Sequence, residues 1–268
     1  MLLTSKLLSA RGVRHGFSTR RGGVSVAPFA ALNTAAHVGD APEAVRENVS
    51  RVLARAGLAA TKLFTVTQVH GATVRDVTTG DAPESVAHEE ADALCCLDPG
   101  ISVGIRTADC VPILLHDMAG GAVAAVHAGW RGVAAGVVGA GLSSLVRRVG
   151  SARSVVAAIG PCIGRCCFEV GEDVVAAIEQ AVPIQDPEMV TASPAGTPSR
   201  WHLDLRRAVR MQLLALGVPE SQIDDVPGCT RCEGARFFSF RRDGARSGRM
   251  LAVISTHAEA NVPHVIAS

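Results

Sequence analysis

The sequence predicts an α+β protein in which layered sheets carry helices on their outer faces. Three observations carry this. Consecutive short apolar runs, punctuated by Pro99-Gly100 and Gly120-Gly121, read as buried strands. Amphipathic helical stretches flank them at irregular intervals. The 268 residues are 48% apolar and 19% charged with a net charge of +1, enough for a sizeable core and too apolar and neutral for disorder. No repeat or linker divides the chain, so residues 1–268 are read as a single domain.

Residues 11–40 are loop-rich around Arg20-Arg21-Gly22-Gly23 and Pro28. A helix is expected from Pro42 to Ala56, capped by Asp40, with Glu43 in its first turn and Gly57 behind it. Leu63 to His70 reads as a strand stopped by Gly71, and Thr79 to Glu90 as polar turn. The apolar runs themselves are Ile101 to Arg106, Val111 to His116 and Ala122 to His127. Gly129 to Val149 can form a helix closed by Arg147-Arg148 and Gly150. Ser154 to Ile159 is a further buried strand and Glu172 to Ala181 a helix. Residues 183–200 hold four prolines and read as a surface loop. Asp204 caps a helix with Leu205, Ala208, Val209, Gln212, Leu213 and Leu216 on one side and Gly217 after it. Phe237 to Ile254 reads as two strands around an Asp243-Gly244 turn, with Phe238 and Phe240 on one buried face.

Composition excludes several classes. Near-neutral charge, no Tyr and only 3% aromatics argue against a nucleic-acid binder. All basic residues but Lys6 and Lys62 are Arg, a bias expected from a GC-rich genome. The first residues, Met1-Leu2-Leu3-Thr4-Ser5-Lys6, lack a signal-peptide apolar stretch, and the longest uncharged run, Gly132 to Val146, is too short to span a bilayer. A cytoplasmic protein without membrane partners is expected. Its eight cysteines (95, 96, 110, 162, 166, 167, 229 and 232) are then reduced or metal-bound.

Chemistry gathers first at expected strand ends. His70 precedes Gly71, His127 precedes Ala128-Gly129, and Cys110 separates two apolar runs. Two imidazoles and a thiolate are good zinc ligands that leave a fourth position open, although these spacings match no zinc signature. Cys110 with a histidine is equally a candidate hydrolase dyad. Cys229-Thr230-Arg231-Cys232 is a CxxC without a second CxxC, and two reduced structural thiols are its simplest reading. His257-Ala258-Glu259 lies after Pro161-Cys162 rather than before it, so the nucleobase-deaminase order fails. No P-loop or dinucleotide fingerprint occurs. Gly129-Trp130-Arg131-Gly132 opens a helix whose N–H groups, with Arg131, could receive an anion. The arginines of residues 231–249 could hold a small phosphate.

Three strings are more specific than these arguments: Gln68-Val69-His70-Gly71, Thr107-Ala108-Asp109-Cys110-Val111-Pro112 and His127-Ala128-Gly129-Trp130-Arg131-Gly132. Together with His15-Gly16-Phe17-Ser18-Thr19-Arg20, Leu32-Asn33, Gly160-Pro161-Cys162-Ile163-Gly164 and Phe237 to Gly244, they resemble, in order, the laccase-domain family. Its members are also called polyphenol-oxidase-like purine nucleoside phosphorylases. The resemblance implies a four-layer α/β/β/α sandwich and a zinc site, both metal-binding and catalytic, made of His70, Cys110 and His127. It also implies phosphorolysis of adenosine, inosine and methylthioadenosine, with side adenosine deamination. Copper-dependent phenol oxidation and peptidoglycan editing are other activities described in the family. Phe240 stands where tyrosine is usual, Phe168 to Gly171 replaces a common tyrosine start, and Cys96 sits at a frequent threonine.

Phosphorolysis needs a phosphate dianion beside the ribose C1′, for which Arg20, Arg131 and Arg241 are candidates. Asn33 and Gln68 are amides able to read polar substrate edges. Zinc is the expected metal and copper its alternative. A laccase with several coppers is hard to build from nine histidines without an HxH pair. The expected partners are purine nucleosides and phosphate, with the chain a monomer or homodimer.

Overall fold

Apolar side chains alternate along the central strands and build the molecule in layers. The computed structural model describes residues 2–184, 186–192 and 200–256. Its first elements are β1 (Leu2–Leu3), α1 (Lys6–Ser9), β2 (His15–Ser18), α2 (Pro42–Arg55), β3 (Lys62–Phe64), β4 (Val74–Val77), α3 (Pro83–Val86) and β5 (Ala93–Cys96). The central run follows: β6 (Ile101–Thr107), β7 (Val111–Asp117), β8 (Val123–Ala128), α4 (Trp130–Ala134), α5 (Val137–Val149) and β9 (Val155–Ile159). Last come β10 (Glu169–Gly171), α6 (Glu172–Ala181), β11 (Val190–Ala192), β12 (Arg200–Leu203), α7 (Leu205–Ala215), β13 (Ile223–Asp225), α8 (Phe240–Asp243) and β14 (Met250–Ser255).

A five-stranded sheet has the order β1-β2-β14-β6-β3, a six-stranded sheet the order β13-β9-β7-β8-β5-β4, and a three-stranded sheet the order β10-β12-β11. The first two pack face to face. Leu94 and Cys96 of β5, Leu114 of β7, Val123 and Ala125 of β8, and Val156 and Ala158 of β9 meet Phe17, Val103, Ile105, Ala252 and Ile254 of the five-stranded sheet. The alternate residues Cys95, Ile113, Leu115, Ala124, Val126, Ala157 and Ile159 face the opposite way. They pack on Val138, Leu142 and Leu145 of α5 and Val209 and Leu213 of α7. On the far side, Leu251 and Val253 of β14 receive Val52 of α2. The result is α2, sheet, sheet, α5 with α7, the four-layer α/β/β/α arrangement.

Several expectations need correction. Asp40 does not cap α2 through its first-turn amides. Its carboxylate accepts from Ser25 and Asn33 side chains and from the Ala41 N–H, and Ala41 occupies the cap position. The stretch after Gly129 is two helices, because Gly136 at φ +85° turns the chain between α4 and α5. The expected strand to His70 ends at Phe64, leaving only a bridge from Thr67 to Glu90. The stretch from Thr79 to Glu90 contains α3, and the 183–200 loop contributes β11 and the start of β12. No hairpin forms between Phe237 and Ile254. The Ser239 hydroxyl accepts from the Arg242 N–H and starts α8 instead. Phe237 and Phe238 are buried, whereas Phe240 is 51% exposed. Asp204 caps α7 as expected, accepting from the Arg207 N–H at 3.0 Å. His257-Ala258-Glu259 lies outside the described residues. Among the described residues, no helix is long and apolar enough to cross a membrane.

Candidate metal centre

The chain crosses between the two large sheets at one end of the sandwich, and the chemistry collects there. Cys110 lies in the short crossing from β6 to β7, His70 in the crossing from β3 to β4, and His127 near the end of β8, paired with Pro112. Their ligand atoms all lie within 4.8 Å of one another. Cys110 Sγ and His70 Nε2 are 3.7 Å apart. A tetrahedral zinc with ordinary Zn–S and Zn–N bonds separates two such atoms by about 3.6 Å. The donor set therefore fits zinc, and its His2Cys chemistry also suits copper.

Both bends that deliver these residues adopt left-handed backbone. His70 has φ +63° and Asp109 has φ +97°, conformations that side-chain-bearing residues rarely hold unless the surroundings impose them. The fully buried Asp92 carboxylate imposes the first. It accepts from the N–H groups of Val69, His70 and Gly71 at 3.3, 2.9 and 2.6 Å. Asp109 is held by its own acceptors. Its carboxylate accepts from the Thr230 hydroxyl and the Arg241 N–H, each at 2.6 Å, and its carbonyl from the Ile163 N–H at 2.9 Å. Gly129 lets the chain pass closely beneath, since a Cβ there would stand 2.8 Å from His70 Cδ2 and 3.1 Å from Cys110 Sγ.

Asp92 also fixes His127, whose Nδ1 bonds Asp92 Oδ1 at 2.8 Å. That leaves Nε2 as the ligand atom, the carboxylate–histidine pairing common around protein metals. Burial opposes charge on both Cys110 and His127, yet their mutual attraction and hydrogen bonds prevail. The thiol is drawn down to about 6 and the imidazole pushed up to about 9. Burial likewise opposes the Asp92 charge, but bonds from His127, Gly71 and His70 keep its carboxyl below the usual range. Without metal, Cys110 is thus a thiolate beside an imidazolium. Peptide-resolved alkylation of metal-stripped protein should show Cys110 reacting at pH 7 and losing reactivity only as pH falls through about 6. An ordinary thiol loses it around 8.5. A Cys110 profile centred there would remove the ion pair.

The three residues open onto a cleft of about 780 Å³, also lined by Gln68, Arg106, Phe168, Phe240, Arg241 and Arg249. Gln68 lines it with both amide ends engaged, accepting from the Arg106 N–H at 2.7 Å and donating to its carbonyl at 2.8 Å. Arg241 lines it too, donating to the Glu169 carbonyl and lying over Phe168. Three other expected residues stand outside. Arg20 donates to the Ala30 and Gly234 carbonyls and lies over Phe238. Arg131 lies over Trp130 on the exposed side of α4. Asn33 is fully buried, and its side-chain oxygen accepts from the Arg249 N–H at 2.9 Å.

Sequence reasoning missed Asp92 and Arg106, and reached Arg249 only as one of the arginines of residues 231–249 that could hold a small phosphate. Burial pushes both guanidiniums down, and their hydrogen bonds go to backbone carbonyls, Arg106 to Thr34 and Arg249 to Ser247 and Gly248. Arg106 closes an apolar strand, a usable signal. Asp92 carries none, because its partners come from residues 69–71 and 127.

The chain is similar in sequence and fold to known proteins. It is 38% identical over 254 residues to purine nucleoside phosphorylase YlmD of Geobacillus stearothermophilus, covering 92% of each chain. It is 36% identical over 265 residues to a purine nucleoside phosphorylase of Bacteroides thetaiotaomicron, covering 96% of each. The crystal structure of the Geobacillus YlmD superposes with a TM-score of 0.84 at 37% identity, over 92% of both chains. Residues 14–257 match the family model described as multi-copper polyphenol oxidoreductase laccase, and the chain belongs to that family.

Proposed function

We propose that this protein is a zinc-dependent purine nucleoside phosphorylase. It takes adenosine, inosine and methylthioadenosine with phosphate to the free base and the corresponding ribose 1-phosphate, and deaminates adenosine as a side reaction. The observation that carries this is the His70–Cys110–His127 centre opening onto a nucleoside-sized cleft that also holds Arg106, Arg241 and Arg249. The names of the relatives support it.

The arginines are suited to a dianion. Each donates to a backbone carbonyl rather than a carboxylate, which fixes its orientation, and the set carries more positive charge than Asp109 and Cys110 beside Arg249 offset. Gln68 and Asn33 act through this set, holding the backbones of Arg106 and Arg249 rather than reading the substrate. In the reaction a phosphate oxygen bonds to ribose C1′ as the C1′–N9 bond breaks, and the electron pair leaves with the purine. His70, Cys110 and His127 would hold zinc, which would supply Lewis-acid chemistry at the cleft. Asp92 keeps the His127 proton on Nδ1, so that Nε2 remains a donor. Phe240 lines the cleft without a hydroxyl, so purine recognition there is apolar stacking rather than hydrogen bonding.

Mass spectrometry of inosine and adenosine incubated with zinc-loaded protein, with and without phosphate, tests the reading. Base and ribose 1-phosphate should appear only with phosphate. Free ribose, or no turnover, would overturn it. The family's description and the His2Cys donors favour copper-dependent phenol oxidation as a second reading. Oxygen uptake with a catechol by copper-loaded protein, absent phosphorolysis, would select it.

A further inference from the structure

A second cluster of metal-ligating side chains lies away from the first. The Sγ atoms of Cys166, Cys167, Cys229 and Cys232 all fall within 4.8 Å of one another. Cys166 is 3.7 Å from Cys229 and 3.5 Å from Cys232, and Cys167 is 3.2 Å from Cys232. Four thiolates around one zinc at ordinary bond length stand about 3.8 Å apart. The lone CxxC of the sequence thus finds its missing half in an adjacent cysteine pair, which no CxxC pattern would reveal.

Backbone donors and a guanidinium surround the four sulfurs. The Gly164 N–H donates to Cys229 Sγ at 3.3 Å, and the Arg231 and Cys232 N–H groups also point to that sulfur. The Arg231 guanidinium bonds Cys167 and lies near Cys229 and Cys232, offsetting the excess negative charge of a tetrathiolate. Tight turns present each pair. The Cys167 and Phe168 N–H groups close on the Gly164 carbonyl, and the Glu233 N–H closes on that of Cys229. Cys166 and Cys232 are exposed, so an ion can reach them without unfolding.

We propose that these four cysteines form a structural tetrathiolate zinc site that clamps the loop after β9 to the loop before α8. The clamp bears on the first centre. Thr230, between the two CxxC cysteines, donates to Asp109, and the Ile163 N–H holds the Asp109 carbonyl. Asp109 in turn precedes Cys110 in its left-handed bend. The site is independent of the substrate and of the reaction assigned above.

Elemental analysis of the full chain, purified with zinc and without chelator, tests it. About two zinc ions per chain are expected in the wild type, about one in Cys110→Ala and about one in Cys166→Ser/Cys232→Ser. Cobalt substitution of the Cys110→Ala chain gives a reading that needs no cluster mutant. All thiolate-to-cobalt charge-transfer absorption there must come from the remaining cysteines, with the intensity of four thiolates. Zinc absent from Cys110→Ala together with no such absorption, or a Cys167–Cys232 disulfide in non-reduced peptides, would overturn the clamp. Loss of phosphorolysis alone would leave it standing.

Discussion

Cys110→Ala is expected to lose the metal of the cleft and to lower turnover by about 10³-fold or more. The thiolate is the one anionic donor of the three, and the two imidazoles that remain form a weak site. Cys110 is half-buried, and comparing unfolding with that of the metal-stripped wild type separates the lost stabilisation of the metal from any loss of fold. Lost activity will then report chemistry rather than folding. Zinc content, steady-state rate and denaturant unfolding of the same preparation decide the matter. Full activity in a variant lacking that metal would remove the metal from the reaction.

Asp92→Ala should have the second largest effect, on stability and metal together. Removing this buried carboxylate strands the buried His127 Nδ1 proton and three partly buried backbone N–H groups. Each unsatisfied buried donor costs about 1–3 kcal/mol. Water or relaxation will satisfy some of them, so a net loss of about 3–5 kcal/mol is expected. Zinc affinity should fall about 10–100-fold, because both the bend carrying His70 and the orientation of His127 depend on this one group. Chelator competition measures the affinity and urea unfolding the stability. An Asp92→Ala protein that binds zinc as tightly as the wild type would show that the two histidines are positioned by something else.

The sequence is most readable where one segment contains all the forces that shape it. The runs that became β6, β7 and β8 are mostly apolar on both faces and are set off by Pro99-Gly100, Gly120-Gly121 and Gly129, so burial between two layers follows from their composition. Asp204 and Gly217 bracket α7 because capping is a contact between near neighbours. The same local logic misleads at Phe237 to Gly244. Adjacent phenylalanines before Asp-Gly resemble a strand entering a hairpin, but the short range of the Ser239 cap and the space available to Phe237 and Phe238 favour a helical turn. Strands β2 and β5 escaped notice for the opposite reason. The short His15–Ser18 and Ala93–Cys96 segments have weak patterns of their own and are strands because of the partners they lie between.

The functional residues divide in the same way. His70, Cys110 and His127 were identifiable from their strings, while their spacing alone pointed nowhere, because sequence separation carries no information about which crossings meet at one end of a sandwich. Family, layered α+β class and the three candidate ligands were readable from the sequence by itself, since motif residues and apolar periodicity are written along the chain. Tertiary structure alone decided that Asp92 ties two of those ligands together and that Arg106 and Arg249, rather than Arg20 and Arg131, line the cleft. It alone brought an adjacent cysteine pair to a CxxC more than sixty residues away. These are outcomes of three-dimensional closure, in which a side chain's role is set by neighbours that the packed sheets select and no local pattern names.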